Sequence, residues 1–246
     1  MPLAPNLTNR VALVTGGSRG IGKAVALALA EAGADVAVNY RAAAKEANAV
    51  ADAIRALGRR AMAVAADVSD GAAVHAMMQS VVAELGAVDV LVNNAGVAIW
   101  RGIDDLTEAD FDRTIAVNLK SAFLCTQAVL PGMRARRWGR IVNISSGAAR
   151  GAGGIGLHYN ASKAGMEGLT RGYAARLVKD GITVNAVAPS LIETDMMSNN
   201  KAELAARIPL GRLGRPEEVA EAVLMVIGNE YMTGQTVPLS GGLSFN

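Results

Sequence analysis

Short apolar runs rich in β-branched residues alternate along the chain with longer alanine-rich segments of helical period. The short runs are apolar throughout, which is typical of strands in a sheet covered on both faces. This alternation predicts an α/β fold with a doubly wound parallel sheet of about seven strands and helices on both faces. The predicted strands are residues 11–15, 36–39, 61–65, 88–93, 140–145, 183–187 and 236–239, and the predicted helices are 21–32, 45–57, 72–85, 108–133, 159–179 and 216–227.

The boundaries of two predicted helices carry start signals. Thr107 with Asp110 resembles a capping box, and Pro216 precedes two glutamates in the first turn of the last helix. No linker, repeat or low-complexity stretch divides the chain, so residues 1–246 are predicted to form one domain. The least regular segment, residues 189–209, is long for a connection inside a compact domain and is predicted to be a substrate lid.

Composition narrows the class of protein. Of 246 residues, 51% are hydrophobic, and the formal net charge is only +2, which argues against a nucleic-acid-binding protein. The single cysteine excludes an internal disulfide framework and a four-cysteine metal site, and no metal is expected. No apolar run is long enough to span a membrane, and the first ten residues lack a signal-peptide core. We therefore expect a soluble cytoplasmic protein.

A glycine-rich turn follows the first predicted strand and opens the first predicted helix. In the run TGGSRGIG, glycines at 16, 20 and 22 allow a tight turn and a close approach of the backbone to a pyrophosphate. The free N–H groups of the helix terminus would then face that anion. Ordinary loop geometry is the alternative, which the position between strand and helix disfavours. The predicted cofactor contacts in this turn are Gly16, Ser18, Arg19, Gly20, Ile21 and Gly22.

The end of the second predicted strand favours NADP(H), with NAD(H) as the alternative. NAD sites usually place a carboxylate about 20 residues beyond the glycines. Here the sequence is Asn39-Tyr40-Arg41, without an acid. Arg41 and Arg19 could each pair with a 2′-phosphate, because a guanidinium donates two parallel hydrogen bonds. A solvated arginine at a helix start is the alternative for Arg41.

A serine, a tyrosine and a lysine form the candidate catalytic group. Tyr159 and Lys163 are one helical turn apart, and Ser146 precedes the tyrosine by thirteen residues, just past the fifth predicted strand. A neighbouring ammonium is expected to lower the pKa of a phenol, which is otherwise near 10. Ser146 could then hydrogen-bond a substrate carbonyl while Tyr159 supplies a proton. A tyrosine–lysine pair alone is more often surface decoration than a site.

Six motifs in order make the chain resemble the short-chain dehydrogenase/reductase superfamily, whose single-domain members have a Rossmann-like sheet. Besides the glycine turn, they are NNAG at 93–96, Asn118, ISS at 144–146, YNASK at 159–163 and VAP at 187–189. The resemblance implies that Ser146 orients the carbonyl and Tyr159 is the general acid/base. It implies that Lys163 binds the nicotinamide ribose and lowers the pKa of Tyr159, and that Asn118 holds a water in a proton relay. Further implied cofactor contacts are Tyr40, Asp67, Val68, Asn94, Ala95, Gly96, Pro189, Ile192 and Thr194.

Within the superfamily, the chain looks most like 3-oxoacyl-[acyl-carrier-protein] reductases. Arg137 matches a position that docks the acidic carrier protein beside the cleft, but Asp180 stands at the second such position, where the pattern has arginine. Pro189-Ser190 also replaces the usual Pro-Gly, which puts the lid geometry in doubt. A solvated helix end is the alternative for the basic run at 134–137.

The leading hypothesis is an NADPH-dependent reductase of 3-oxoacyl thioesters, with an acyl carrier protein as a possible partner. The alternatives are a dehydrogenase of a sugar, polyol, steroid or other secondary alcohol, and a non-catalytic NADP(H)-binding regulator, which the intact signature disfavours. The resemblance also implies a homotetramer with 222 symmetry. His75, His158 and Cys125 are interpreted as structural, although His158 could line the cleft because it adjoins Tyr159. Trp100 is a candidate for the cleft wall, with loop packing as the alternative, and Met196 and Met197 could touch substrate in the lid, with gap filling as the alternative.

Overall fold

A computed structural model describes residues 5–194 and 201–245. Seven strands form one parallel sheet in the spatial order β3-β2-β1-β4-β5-β6-β7, which confirms the predicted fold class. The strand order reverses between β1 and β4, and open sheets of this type bind ligands at such a crevice. The strands are β1 (Val11–Val14), β2 (Asp35–Tyr40), β3 (Ala61–Ala65), β4 (Val90–Asn93), β5 (Gly139–Ile144), β6 (Ile182–Pro189) and β7 (Thr236–Leu239).

Helices cover both faces of this sheet. One core packs α1, α2 and α8 on one face through residues such as Val25, Val50 and Val223, and a second core packs α3, α5 and α6 on the other. Strands buried on both sides explain why the short runs are apolar at every position. The helices are α1 (Gly20–Glu31), α2 (Ala44–Ala56), α3 (Gly71–Glu84), α4 (Glu108–Ile115), α5 (Ser121–Arg136), α6 (Leu157–Leu177), α7 (Lys201–Ala206) and α8 (Pro216–Gly228).

Two predicted segments differ from the structure by more than a shift of their ends. The single helix expected at 108–133 is interrupted by a π-helical turn, Ala116–Lys120, between α4 and α5. The irregular segment expected at 189–209 begins at the last residue of β6 and contains the short helix α7; its residues 195–200 lie outside the described residues.

The start signals of two helices are confirmed. Thr107 and Asp110 form the reciprocal capping box of α4, and Pro216 stands in the first turn of α8 with two glutamates. Within residues 5–194 and 201–245, no helix has the length and apolar character that crossing a membrane requires.

Candidate active site

The glycine turn between β1 and α1 has a backbone that only glycine accommodates easily. Gly16 and Gly20 adopt positive φ angles of 61° and 53°. A Cβ on Gly22 would lie 2.3 Å from the carbonyl oxygen of Gly16, so a side chain there would collide with the turn itself. Arg19 occupies the N-cap position of α1 without a side-chain capping bond, and its side chain is exposed. The helix terminus therefore keeps its first N–H groups available for an anion.

Hydrogen bonds from the end of β4 hold this turn in place. The Thr15 hydroxyl accepts from the backbone N–H groups of Asn94 and Ala95, each at 3.0 Å. The Asn94 amide donates to the carbonyls of Thr15 and Gly16 at 2.9 and 3.0 Å. The Asn94 side chain thus holds the turn against the end of β4. Gly96, two residues later, lies close to Lys163, since a Cβ on Gly96 would lie 3.8 Å from the lysine Nζ.

The end of β2 presents an amide where an NAD site usually has a carboxylate. Asn39 is buried, and its Oδ1 accepts from the Gly16 N–H at 3.2 Å. Its Nδ2 donates to the carbonyls of Val64 and Ala66 at 3.3 and 3.2 Å. This side chain therefore joins the glycine turn to the end of β3, a role that its position in the sequence does not indicate. Tyr40 beside it is half-buried.

Asp67 lies between two arginines at the adjacent corner of the sheet. Its carboxylate is 3.8 Å from Arg41 and 3.4 Å from Arg113, and it accepts from both the N–H and the hydroxyl of Ser69. Burial acts to raise the pKa of Asp67, but the Ser69 hydrogen bonds and Arg113 outweigh it, and the net pKa is lowered. Arg113 was missed because it comes from α4, far along the sequence. Val68 next to Asp67 is buried.

Lys163 is a buried ammonium without a carboxylate partner among residues 5–194 and 201–245. Its Nζ donates to the Ile144 carbonyl at 2.8 Å and lies 5.7 Å from the centre of the Tyr159 ring. Burial lowers the pKa of Lys163 to about 8. The end of β5 and the first two turns of α6 thus bring the tyrosine and lysine together with Ser146.

The pKa of Tyr159 departs from its usual value in the direction opposite to the prediction. Burial raises it, and an interaction with the Ser146 hydroxyl opposes that rise only in part. The Lys163 ammonium, which was expected to lower this pKa, donates to the Ile144 carbonyl. Ser146 itself caps the next turn, accepting from the Ala148 N–H at 3.2 Å.

Asn118 is fully buried in the π-helical turn. Its Oδ1 accepts from the Val97 N–H at 2.7 Å, and its Nδ2 donates to the Val97 carbonyl at 3.0 Å and the Ser162 hydroxyl at 3.2 Å. Ser162 in turn donates to the Tyr159 carbonyl at 2.7 Å. Both amide hydrogens and one lone pair of the Asn118 Oδ1 are therefore engaged within the protein. Such π turns are frequent at functional sites.

The segment after β6 reaches back over the glycine turn. Pro189 ends the strand, buried Ile192 forms a bridge with Gly214, and the Thr194 methyl lies 3.3 Å from where a Cβ on Gly20 would stand. Ser190 has no positive φ, so serine is not strained where the family pattern has glycine. Its hydroxyl sits 2.6 Å from where a Cβ on Gly147 would be, so the missing side chain at 147 makes room for it. Met196 and Met197 lie outside the described residues.

Arg137 lies at the opposite edge of the sheet from the candidate site. It precedes the first residue of β5, whereas Ser146 follows the last, a separation of roughly 20 Å along the strand. Its guanidinium donates to the Lys179 carbonyl, and Asp180 pairs with Arg134 at 2.8 Å. Contrary to the expectation, Arg137 does not border the cleft of its own chain. It lies where β5 begins, and the candidate site lies where β5 ends.

The remaining singled-out residues are mostly structural. Cys125 is buried, which raises the pKa of its thiol to about 12, and exposed His75 contacts Gln79. His158 is fully buried rather than lining the cleft, whereas Trp100 is 56% exposed. No group of three or more metal-ligating side chains occurs in the described part of the chain.

Comparisons with known proteins agree with this geometry. The family model for the short chain dehydrogenase matches residues 10–205. The chain is 43% identical over 240 residues to the 3-oxoacyl-[acyl-carrier-protein] reductase FabG of Staphylococcus aureus strain N315, covering 94% of this chain and 97% of the relative. It is also 43% identical over 244 residues to the (2S)-[(R)-hydroxy(phenyl)methyl]succinyl-CoA dehydrogenase subunit BbsD of Thauera aromatica, covering 97% and 98%.

Solved structures match over the same length. A short chain dehydrogenase of Burkholderia cenocepacia J2315, in complex with NADP, superposes with a TM-score of 0.89 and 40% identity, covering 97% of this chain and 99% of that one. A short-chain type dehydrogenase/reductase of Mycobacterium marinum gives a TM-score of 0.92 at 35% identity, with 97% of each chain covered. The chain belongs to the short-chain dehydrogenase/reductase family and is an oxidoreductase acting on CH–OH groups.

Proposed function

We propose that this protein uses NADPH to reduce a 3-oxoacyl thioester to the 3-hydroxyacyl form. The observation that carries the proposal is the convergence of Ser146, Tyr159 and Lys163 beside the glycine turn, at the edge where open parallel sheets bind ligands. The Staphylococcus aureus reductase, similar over nearly its whole length, supports this substrate class.

The residues present fit a nicotinamide dinucleotide. Only glycine is tolerated at 22, the turn leaves the N–H groups of α1 available, and Asn39 and Asn94 brace it from two strands. Bound there, the cofactor supplies the hydride. The Lys163 ammonium would exchange the Ile144 carbonyl for the ribose hydroxyls, and Thr194, Ile192 and Pro189 would lie against the carboxamide side.

The preference for NADP(H) follows from the charges at the end of β2. The described residues there offer no carboxylate to a ribose 2′-hydroxyl, since the only acid of the corner, Asp67, is held by Arg113 and Ser69. Arg41 is more than half exposed and only loosely paired with Asp67 at 3.8 Å, so it is available to a 2′-phosphate. Arg19 can approach from the turn.

The proton in this scheme comes from Tyr159. Ser146 donates a hydrogen bond to the substrate carbonyl, the carbonyl carbon accepts the hydride, and the Tyr159 hydroxyl gives its proton to the oxygen. The phenolate formed is stabilised by the Lys163 ammonium once that group approaches the phenol. Asn118 would hold a water in the relay that returns a proton toward Lys163.

A second candidate is a dehydrogenase of a coenzyme A-bound secondary alcohol. The observation in its favour is the placement of Arg137 at the far edge of the sheet and the pairing of Arg134 with Asp180, which removes carrier-docking charges from the cleft. The Thauera aromatica relative, named for a CoA-bound alcohol, is as similar as the reductases.

One assay separates these candidates. The protein is supplied with NADPH and acetoacetyl N-acetylcysteamine, acetoacetyl-CoA, an acyl-carrier-bound 3-oxoacyl substrate, a small diketone or a sugar, and the reverse reaction is followed with NADP+. We expect fast oxidation of NADPH with the thioesters. Turnover of a sugar or simple ketone without any thioester would contradict the proposal, and activity with CoA but not carrier thioesters would favour the second candidate.

We also propose a homotetramer, in which α4, α5 and α6 pack against their copies and α8 with β7 forms the other contact. The exposure of Phe123 on α5, at 44%, is consistent with a covered helix face. Sedimentation velocity tests the assembly, and a stable monomer at micromolar concentration would rule it out.

A further inference from the structure

We infer that His158 is a positioning residue that fixes Trp100 as an apolar wall at the cleft entrance, against which the acyl chain of the substrate packs. The inference rests on the proposed function for its substrate class. It concerns two loops that leave adjacent strands of the sheet. Residues 94–107 follow β4, and residues 145–156 follow β5 and end at the helix of Tyr159.

His158, in the first turn of α6, ties the loop after β4 to that helix. Its ring is fully buried, and its Nε2 lies 2.9 Å from the Ile99 carbonyl, while its Nδ1 is buried without a partner. A carbonyl can only accept, so Nε2 must carry a proton and donate to Ile99. Gly156 leaves space for this ring, since a Cβ there would lie 2.5 Å from the His158 Cε1.

The residue on the other side of Trp100 is anchored as well. The Arg101 N–H donates to the Ile155 carbonyl at 3.1 Å, and its guanidinium donates to the Trp100 carbonyl at 3.1 Å and to Asp110 at 2.8 Å. Of the two neighbours of Trp100, Ile99 is therefore bonded to the first turn of α6 and Arg101 to the loop that precedes this helix. The backbone of Trp100 is held on both sides.

The indole itself is left exposed between the loops. Trp100 is 56% exposed, and its ring lies 3.6 Å from where a Cβ on Gly154 would stand, so it bridges toward the second loop. Ile103 in the same loop is 72% exposed. Trp100 thus has a backbone held by hydrogen bonds of its neighbours and a large apolar ring with one exposed face. It lies four residues beyond Gly96, which adjoins Lys163. Such a ring suits binding of an apolar group rather than core packing.

The acyl chain is the occupant this wall fits best. The reacting carbonyl must lie at Ser146 and Tyr159, so the part of the substrate that reaches Trp100 is several bonds away. The guanidinium of Arg101 is paired with Asp110, so it does not place a free charge against the acyl chain. Each methylene that packs on the indole loses water contact, so the contribution grows with chain length and is absent for the shortest substrate.

The test compares acetoacetyl and 3-oxooctanoyl thioesters of N-acetylcysteamine in His158→Leu, His158→Gln and Trp100→Ala. The glutamine keeps an N–H donor at the distance of Nε2, and His75→Leu serves as the matched control on α3. We expect Trp100→Ala and His158→Leu to raise KM for the eight-carbon substrate about tenfold, with little change for the four-carbon one. His158→Gln should restore most of the loss.

A fluorescence measurement keeps the proposal testable without any turnover. In the Trp138→Phe background, Trp100 is the remaining tryptophan, and His158→Leu should increase both its quenching by acrylamide and its mobility, while His158→Gln should not. Loss of activity on both substrates to the same degree would overturn the proposal, as would unchanged Trp100 fluorescence in His158→Leu. So would a Trp100 indole that is already shielded from acrylamide in the Trp138→Phe protein with His158 intact. Failure of all thioesters with an altered fluorescence would instead refute the proposed substrate class.

Discussion

At the edge of the sheet where the strands begin (the amino edge), the buried carboxylates of Asp35 and Asp89 are each paired with two arginines. At the edge where the strands end (the carboxyl edge), buried Lys163 has no carboxylate partner in the described part of the chain. Asp35 is paired with Arg59 and Arg60 at 3.3 and 2.8 Å, and Asp89 with Arg10 and Arg136 at 3.4 and 3.1 Å. The buried charges at the amino edge are therefore neutralised by ion pairs, whereas the Lys163 ammonium at the carboxyl edge is not.

The difference separates stability from chemistry within one sheet. At the amino edge, Trp138 is also enclosed between Arg10 and Arg140, whose guanidinium carbons lie 3.8 and 4.3 Å from its ring centre. At the carboxyl edge, Lys163 has a carbonyl as its hydrogen-bond acceptor, which a ligand hydroxyl can replace. A buried charge without a counter-ion is costly, so such a group is typical of a functional site.

The largest effect should follow from removing one oxygen at the carboxyl edge. Tyr159→Phe keeps the ring over Lys163 and deletes only the proton donor, so we expect kcat to fall by about 10²–10⁴. NADPH binding, measured by protein fluorescence, should be preserved. Turnover near that of the unmutated enzyme would show that another group delivers the proton.

A charge removed at the amino edge should cost stability instead of activity. Burial opposes ionisation of Asp35, but hydrogen bonds from Arg60 and Arg59 lower its pKa below 3.8. Its stabilising effect is thus present at neutral pH and is lost as the pH falls below that value. Asp35→Asn should lower the free energy of unfolding at pH 7 by about 3 kcal/mol in urea denaturation, and the deficit should narrow in acid. An unchanged free energy of unfolding would show that the ion pairs of Asp35 with Arg59 and Arg60 do not stabilise this edge.

The opposite sign is expected for the lysine at the carboxyl edge. Burial lowers the pKa of Lys163 from 10.5 to about 8, so the folded chain loses this proton at lower pH than the unfolded chain. The cost of burying the ammonium is complete below pH 8 and disappears as the pH rises to 10.5. Lys163→Met should therefore stabilise the cofactor-free protein at pH 7 by about 2 kcal/mol, after the lost bond to Ile144.

That gain should fade in urea denaturation repeated at increasing pH. Lys163→Arg, which keeps the charge, is the control and should not stabilise at any pH. A destabilised Lys163→Met protein at pH 7 would mean that the ammonium is compensated after all.

Cofactor preference should change by a smaller factor. Replacing Arg19 and Arg41 by alanine removes the two guanidiniums available to a 2′-phosphate, and we expect KM for NADPH to rise about tenfold more than KM for NADH. Arg113→Ala is the control, because Arg113 is paired with Asp67 and is not one of the two guanidiniums assigned to the 2′-phosphate. Equal effects on both cofactors, or a preference for NADH in the unmutated protein, would refute the assignment.

The smallest effect is expected at Arg137. Since it lies at the amino edge of its own chain, Arg137→Glu should change KM by less than about twofold for both small and carrier-bound thioesters. The measurement is a pair of KM values at low and high salt, which screens surface charge. A salt-dependent rise for the carrier-bound substrate alone would show that Arg137 borders a cleft, which could then only be that of a neighbouring copy.

The sequence alone determined what depends on local pattern and spacing. Runs that are apolar at every position specified a sheet buried on both faces, and glycines at 16, 20 and 22 specified the tight turn between β1 and α1. Helical periodicity placed Tyr159 and Lys163 on one face. These features follow from neighbours a few residues apart, so no long-range information is needed.

Tertiary structure decided whatever depends on partners that are distant in sequence. The interruption of the predicted helix at 108–133 accompanies the bonds of Asn118 to Val97 and Ser162, and no proline or glycine in the π turn announces it. The raised pKa of Tyr159 results from burial, which the Ser146 hydroxyl opposes only in part, and sequence spacing does not reveal burial. Charge and hydrogen-bond effects act through space, and the folded chain alone sets those distances.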